Sequence, residues 1–323
     1  MTSTLTTTPE TSTIVRSKRH CAVKKILGLT SMVNPLWGAN LGLLAFTTPM
    51  QRRKQRPQLP VDTRVKSVSI RGREVTLYQY GKSARKILLV HGWEAAASDF
   101  IDLFEPLVKA GYEVCAVDLP GHGRSDGPLI PTISGMADWL AELLDALGAT
   151  SATIAGHSMG ALTALDFAAR YPSKIDKLAL LGVANPMPVG QPLLDAAEAD
   201  DHAAFDMITL FGLAKQSQLG GNPTPGLWMS GCVTRLQEES DAGVLFNDFT
   251  ACNNYQDGEE AAAAVDAGSI VIVGAEDRMT APKSARALAA QIKGAEVSII
   301  PGSGHMMMLE TPDEVIAALK KIL

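Results

Sequence analysis

From Val65 onward, short β-branched and apolar runs alternate with stretches whose apolar positions recur every three to four residues. That switching period predicts strands and amphipathic helices in turn, the pattern of a mostly parallel sheet with covering helices. Val65–Ile70 and Glu74–Tyr80 predict an opening hairpin that turns at Arg71-Gly72. Lys86–Val90 ends in four consecutive apolar residues, as expected of a strand buried on both faces. Further strands are predicted at Glu113–Asp118, Ala152–Ala155, Lys177–Val183, Ser269–Val273 and Val297–Ile300. Helices are predicted over Ser98–Ala110, Thr132–Leu147, Met159–Arg170 and Lys283–Ile292. Gly148 supplies a C-cap for the second of these. Thr311-Pro312-Asp313-Glu314 opens a last helix that runs to Leu323.

Two stretches depart from this rhythm. Between Val183 and Ser269 lie 85 residues, too many for a simple crossover, punctuated by Pro186, Pro188, Pro192, Gly220-Gly221 and Pro223-Thr224-Pro225. Helical patterns near Leu193–Leu213 and Leu227–Ser240 make this a cap inserted at about 185–255, followed by a covering helix. The other departure is residues 1–64, an extension ahead of a body at 65–323. Its first 20 residues are rich in Thr and Ser, and Ile26–Met50 carries no charge between Lys24-Lys25 and Arg52-Arg53-Lys54. Twenty-five uncharged residues are long enough to span a bilayer, but Pro35, Asn34, Asn40 and three glycines interrupt the run. Three readings stay open: a helix or hairpin packed on the body, peripheral membrane contact, or a targeting or spanning segment.

Charge sharpens the contrast. Residues 1–66 hold eleven Lys/Arg against Glu10 and Asp62, net +9, while the remainder is net −14. An acidic body argues against nucleic acid as a partner, because phosphate recognition needs clustered bases. A basic arm suits an anionic surface. Cys21, Cys115, Cys232 and Cys252 are widely spaced and form no disulfide framework or zinc pattern, so a reducing, cytoplasmic setting is expected, with membrane association as the variant.

The chemistry gathers in a few places. Gly156-His157-Ser158-Met159-Gly160 matches G-x-S-x-G between a predicted strand and a predicted helix, the context of a nucleophile elbow. The turn is so sharp that side chains at Gly156 or Gly160 would collide with neighbouring backbone. A serine hydroxyl needs a base within hydrogen-bond reach. Of six histidines, His20 lies in the leader, His91 ends a strand, His122 sits in a turn, His157 points away from the elbow and His202 lies among acids. His305 alone follows the last strand on a Gly-rich loop, at the strand ends where function gathers in open α/β sheets. Asp277, just past Ile270–Val273, is the candidate acid that orients it; Glu276 and Asp248 are alternatives. Backbone N–H groups of Met159 and Trp93 are candidate oxyanion donors. Trp93, Phe205, Phe211 and Trp228 are candidate lining of an apolar substrate cleft, and Met306, Met307 and Met308 are expected to pack against the last helix.

His91-Gly92-Trp93, Asp118-Leu119-Pro120-Gly121-His122-Gly123-Arg124-Ser125, the Gly156–Gly160 elbow, Asp277 and Gly304-His305 occur in the order in which the α/β-hydrolase superfamily carries them. The chain resembles that superfamily over Val65–Leu323, about four-fifths of its length. The resemblance implies an eight-stranded, mostly parallel sheet flanked by helices and a Ser-Asp-His triad. It makes Asp118–Ser125 a structural loop. The expected reaction is hydrolysis of a small-molecule carboxylic ester, with a lipid-like, hydrophobic acyl chain as one expectation, through an acyl-enzyme on Ser158. No metal or organic cofactor is required. Thioester, lactone, amide or C–C bond cleavage on the same residues, or a non-catalytic ligand-binding sensor, are the alternatives. Aspartate-based dehalogenase and epoxide chemistry is disfavoured by the serine at the elbow.

Overall fold

A computed structural model describes residues 59–93, 95–221 and 228–323. The N-terminal stretch to residue 58, with its uncharged, base-flanked run, therefore lies outside the described residues. Strands β1 (Arg64–Ile70) and β2 (Arg73–Tyr80) pair antiparallel through a two-residue turn. Arg71 and Gly72 both take positive φ there, 53° and 75°, as a tight hairpin between right-twisted strands demands.

The other strands are β3 (Lys86–Val90), β4 (Glu113–Val117), β5 (Ala152–His157), β6 (Ile175–Leu181), β7 (Gly268–Gly274) and β8 (Glu296–Ile300). They form one eight-stranded sheet in the order β1-β2-β4-β3-β5-β6-β7-β8. Every pairing from β4 onward is parallel, and only β1 and β2 run against their neighbours. The expected eight-stranded, mostly parallel sheet is what the chain forms.

Alternation explains the two layers. On β3, Leu88 and Val90 enter a core with helices α2 (Ile133–Ala146) and α3 (Met159–Arg170), whereas Ile87 and Leu89 face α1 (Ile101–Lys109). Both faces are dry, so consecutive residues must be apolar. Thr132 caps α2 by accepting a hydrogen bond from the Gly135 amide at 3.1 Å, and Gly148 follows its end at φ 62°.

Between β6 and β7 the chain forms α4 (Gln191–Glu198), α5 (Ala203–Gly212), α6 (Lys215–Gln218), α7 (Met229–Gln237), α8 (Val244–Asn253) and α9 (Gly258–Ala264). The helical stretch read near 193–213 is thus two helices, broken where Asp200 turns to φ 49°. After β7 come α10 (Pro282–Ala289), α11 (Met307–Glu310) and α12 (Pro312–Leu319). Met307 and Met308 are buried with Val315, Ile316 and Leu319 of the last helix, as expected, whereas Met306 belongs to the other core cluster, beside Gly212.

Candidate active site

β5 ends at His157 and α3 begins at Met159, which leaves Ser158 alone to reverse the chain. It does so at φ 52°, ψ −117°, a region that costs a non-glycine residue about 1–3 kcal/mol. Its amide donates to the Leu181 carbonyl at 2.9 Å, so the turn is tied to β6. A Cβ on Gly156 would run into the Gly160 carbonyl, and one on Gly160 into the carbonyls of Val90 and His91, which is why both positions are glycine. The Met159 N–H opens α3, where first-turn amides lack an intrahelical acceptor.

His305 arrives on the loop after β8, and Asp277 on the loop after β7. His305 Nδ1 lies 2.9 Å from Asp277 Oδ2. The same carboxylate accepts from the amides of Met279 and Thr280 at 2.8 Å each and from Thr280 Oγ1 at 2.7 Å. Burial alone would raise the Asp277 carboxyl. The His305 ring and the Thr280 amide and hydroxyl outweigh it and hold the group below the usual carboxylate range. An ionised Asp277 is an acceptor only, so His305 carries its proton on Nδ1 and leaves Nε2 bare. His305 Nε2 and Ser158 Oγ are both buried without a hydrogen-bond partner, and both residues line one cavity. No hydrogen bond joins them directly.

The alternatives to Asp277 are engaged elsewhere. Asp248 on α8 pairs with His122 at 2.8 Å, both fully buried, and Glu276 accepts from the Lys215 amide at 3.1 Å. His91 braces its loop: its Nδ1 donates to the Gly92 carbonyl at 2.7 Å, and its Nε2 accepts from the Leu119 amide at 2.9 Å. His157 Nε2 donates to the carbonyl of His305 at 2.9 Å. Burial, with the neighbouring histidines, pushes His91 and His157 down to about 3, so both stay neutral.

Residues 87–318 match the model of the alpha/beta hydrolase family. The chain belongs to that family. Over 252 residues it is 31% identical to a pimeloyl-[acyl-carrier protein] methyl ester esterase of Neisseria meningitidis serogroup C, covering 73% of this chain and 92% of the relative. A 2-hydroxy-6-oxo-6-phenylhexa-2,4-dienoate hydrolase of Burkholderia cepacia is 27% identical over 242 residues, covering 70% of this chain and 83% of that one. Among solved structures, the enol-lactonase of Burkholderia xenovorans LB400 superposes with a TM-score of 0.72 at 23% identity, over 80% of this chain and 99% of its own. This chain is therefore an esterase-like α/β hydrolase.

The cavity of the hydrolase has a volume of about 380 Å³, within the range of small-molecule pockets. Its walls are largely apolar, with Met187, Leu193, Met207, Phe211 and Phe249 beside Trp93. The Trp93 ring lies parallel to His305, 4° between planes at 6.0 Å, and packs on Phe249 at 5.4 Å. Two expected lining residues are not brought here. Phe205 borders a separate cavity of about 210 Å³, and Trp228, 69% exposed, lies outside the lining. Helix geometry gives the reason for Phe205: Met207 and Phe211, four apart on α5, share the face toward the cavity, whereas a step of two residues turns Phe205 away. Thr280 and Gly182 also border the base, and no motif in the sequence marks either. Thr280 Oγ1 lies 3.2 Å from His305 Nδ1, and a Cβ at Gly182 would come within 3.1 Å of the His305 ring.

Proposed function

We propose that this α/β hydrolase cleaves carboxylic esters with apolar acyl chains through an acyl-enzyme on Ser158. The observation that carries this is that His305 Nε2 and Ser158 Oγ are both buried without a hydrogen-bond partner and both residues line one cavity, while Asp277 holds the opposite edge of the imidazole. Ser158 Oγ attacks the carbonyl carbon and passes its proton to His305 Nε2. Asp277 stabilises the imidazolium that forms. The amides of Met159 and Trp93 donate to the oxyanion. The alcohol leaves with the proton from His305, and a water deprotonated by the same ring then releases the acid.

Substrate class follows from the walls. Met187, Leu193, Met207 and Phe249 make most of the wall apolar, with Arg278 a charged residue on the lining, which supports a hydrophobic acyl group. Similarity to a methyl ester esterase of Neisseria meningitidis supports ester chemistry. Similarity to a dienoate hydrolase keeps C–C cleavage as the competing reading, since a serine serves both. A panel of p-nitrophenyl esters from acetyl to palmitoyl decides between enzyme and non-catalytic binder. Wild type turns over short-to-medium chains, and Ser158→Ala loses at least about 10³-fold in kcat. Equal rates in the two proteins overturn the proposal.

The uncharged run Ile26–Met50 between basic clusters adds a second element: peripheral contact of the N-terminal segment with an anionic membrane surface.

A further inference from the structure

One buried carboxylate near His305 has no part in the proton relay. Glu310 ends α11 and is 1% exposed. Its Oε1 accepts from the Gly304 amide at 2.9 Å, and its Oε2 from the Ala214 amide at 2.8 Å. The Ser217 side chain also favours the charged form of the carboxylate. Burying a carboxylate is costly, and here it pushes the Glu310 carboxyl up; Ser217, the two amides and the field of His305 pull against that rise.

The two amides come from distant parts of the chain. Gly304 immediately precedes His305. Ala214 sits in the turn between α5 and α6, in the segment inserted between β6 and β7. That turn meets the same loop again, because the His305 amide donates to the Gly212 carbonyl at 2.6 Å. The contact is backbone on backbone: a Cβ on Gly304 would lie 2.5 Å from the Gly212 oxygen and 2.6 Å from the Ala214 nitrogen. One residue further, the Lys215 amide donates to Glu276, the neighbour of Asp277. Helix α5, which leads into this turn, carries Met207 and Phe211 to the cavity.

We propose that Glu310 is a positioning residue whose carboxylate locks the Gly304–His305 loop to the Gly212–Lys215 turn, so that the base and the cavity wall on α5 hold one geometry. The inference rests on the reading of His305 as the base. Asp277 sets the orientation of the ring; Gly212 and Glu310 set where its backbone stands. A displacement of the base by about 1 Å costs on the order of 10²-fold in rate, and an amide in place of the carboxylate sets an NH₂ against one of the two N–H donors.

The test uses the full chain with p-nitrophenyl butyrate and a fluorophosphonate probe. Glu310→Gln, shown folded by circular dichroism at the assay temperature, is expected to lose about 10–100-fold in kcat with KM within about threefold. The rate of Ser158 labelling falls by the same factor, because labelling draws on the same base. A role confined to stability lowers the melting temperature and leaves both rates of the folded protein unchanged. Folded Glu310→Gln with kcat and labelling within twofold of wild type overturns the proposal. Should that variant not fold, Ser217→Ala decides: it removes a hydroxyl that favours the charged carboxylate and is expected to lower kcat about two- to fivefold, and an unchanged kcat overturns the proposal. Wild type that neither turns over esters nor labels at Ser158 sinks the reading of His305 as base, and the positioning role with it. Wild-type activity with an indifferent Glu310→Gln sinks the positioning role alone.

Discussion

Each oxygen of Asp277 has two partners, and the partners differ in kind. Oδ1 takes two amides and fixes the carboxylate; Oδ2 takes Thr280 Oγ1 and the His305 ring. Asp277→Asn keeps the shape but can turn an NH₂ toward Nδ1, which forces the proton to Nε2 and removes the base. We expect kcat to fall by about 10³–10⁴-fold with near-normal circular dichroism. Loss of less than tenfold on p-nitrophenyl butyrate would assign the orienting role elsewhere. A second buried couple, His122 with Asp248, makes a prediction about stability rather than rate. Burial opposes charge on His122, but the Asp248 carboxylate at 2.8 Å wins, so the histidine is raised above its ordinary value. A folded-state value above the unfolded one means that stability is fully present below about pH 6.5 and is lost as pH rises through the raised value. The urea midpoint of wild type should therefore exceed that of Asp248→Asn most at pH 6, with the gap narrowing by pH 9. A constant gap would remove the ionic contribution.

Among the elements, the central strands were legible because burial on both faces leaves no polar position to blur them: Ile270–Val273 reads as apolar and is buried throughout. The elbow was legible for a related reason, since only glycine fits against Gly160 and β3. Gly160→Ala places a methyl against the carbonyls of Val90 and His91, neither of which can retreat without breaking β3. We expect a loss on the order of 3 kcal/mol, read from urea unfolding. Gly148→Ala meets nothing within 4 Å and suffers only for its φ of 62°, so about 1 kcal/mol is expected. Comparable losses at the two positions would mean that space is not what the elbow glycine provides. What the sequence left open was pairing at a distance. Asp277 was the favoured acid with Glu276 and Asp248 as alternatives, and the fold engages Asp248 elsewhere, against His122, 126 residues away. Likewise, no local pattern distinguishes Met207 from Phe205 as a wall residue before the phase of α5 is known, and Trp228, a candidate for the cleft lining, is mostly exposed.

At the scale of the whole molecule, charge is divided sharply along the chain. Residues 1–66 are net +9 and the rest net −14, so an anionic surface attracts the arm and repels the body on average. Among the described residues no helix is long and apolar enough to cross a bilayer; the proposed contact rests on the sequence of Ile26–Met50 and its flanking bases. Basic residues near an anionic leaflet contribute about 1 kcal/mol each and act within a Debye length, about 8 Å at physiological salt. The full chain should float with phosphatidylserine vesicles at 0.1 M salt. It should float less with phosphatidylcholine alone, and partly detach at 1 M salt if the bases dominate over apolar insertion. A chain lacking residues 1–58 should stay in the dense fraction while keeping its turnover of a soluble ester, because the sheet, Ser158, His305 and the cavity all lie beyond that point. Equal flotation of the two chains would remove the membrane from the proposal and leave the arm to be explained by contacts with protein.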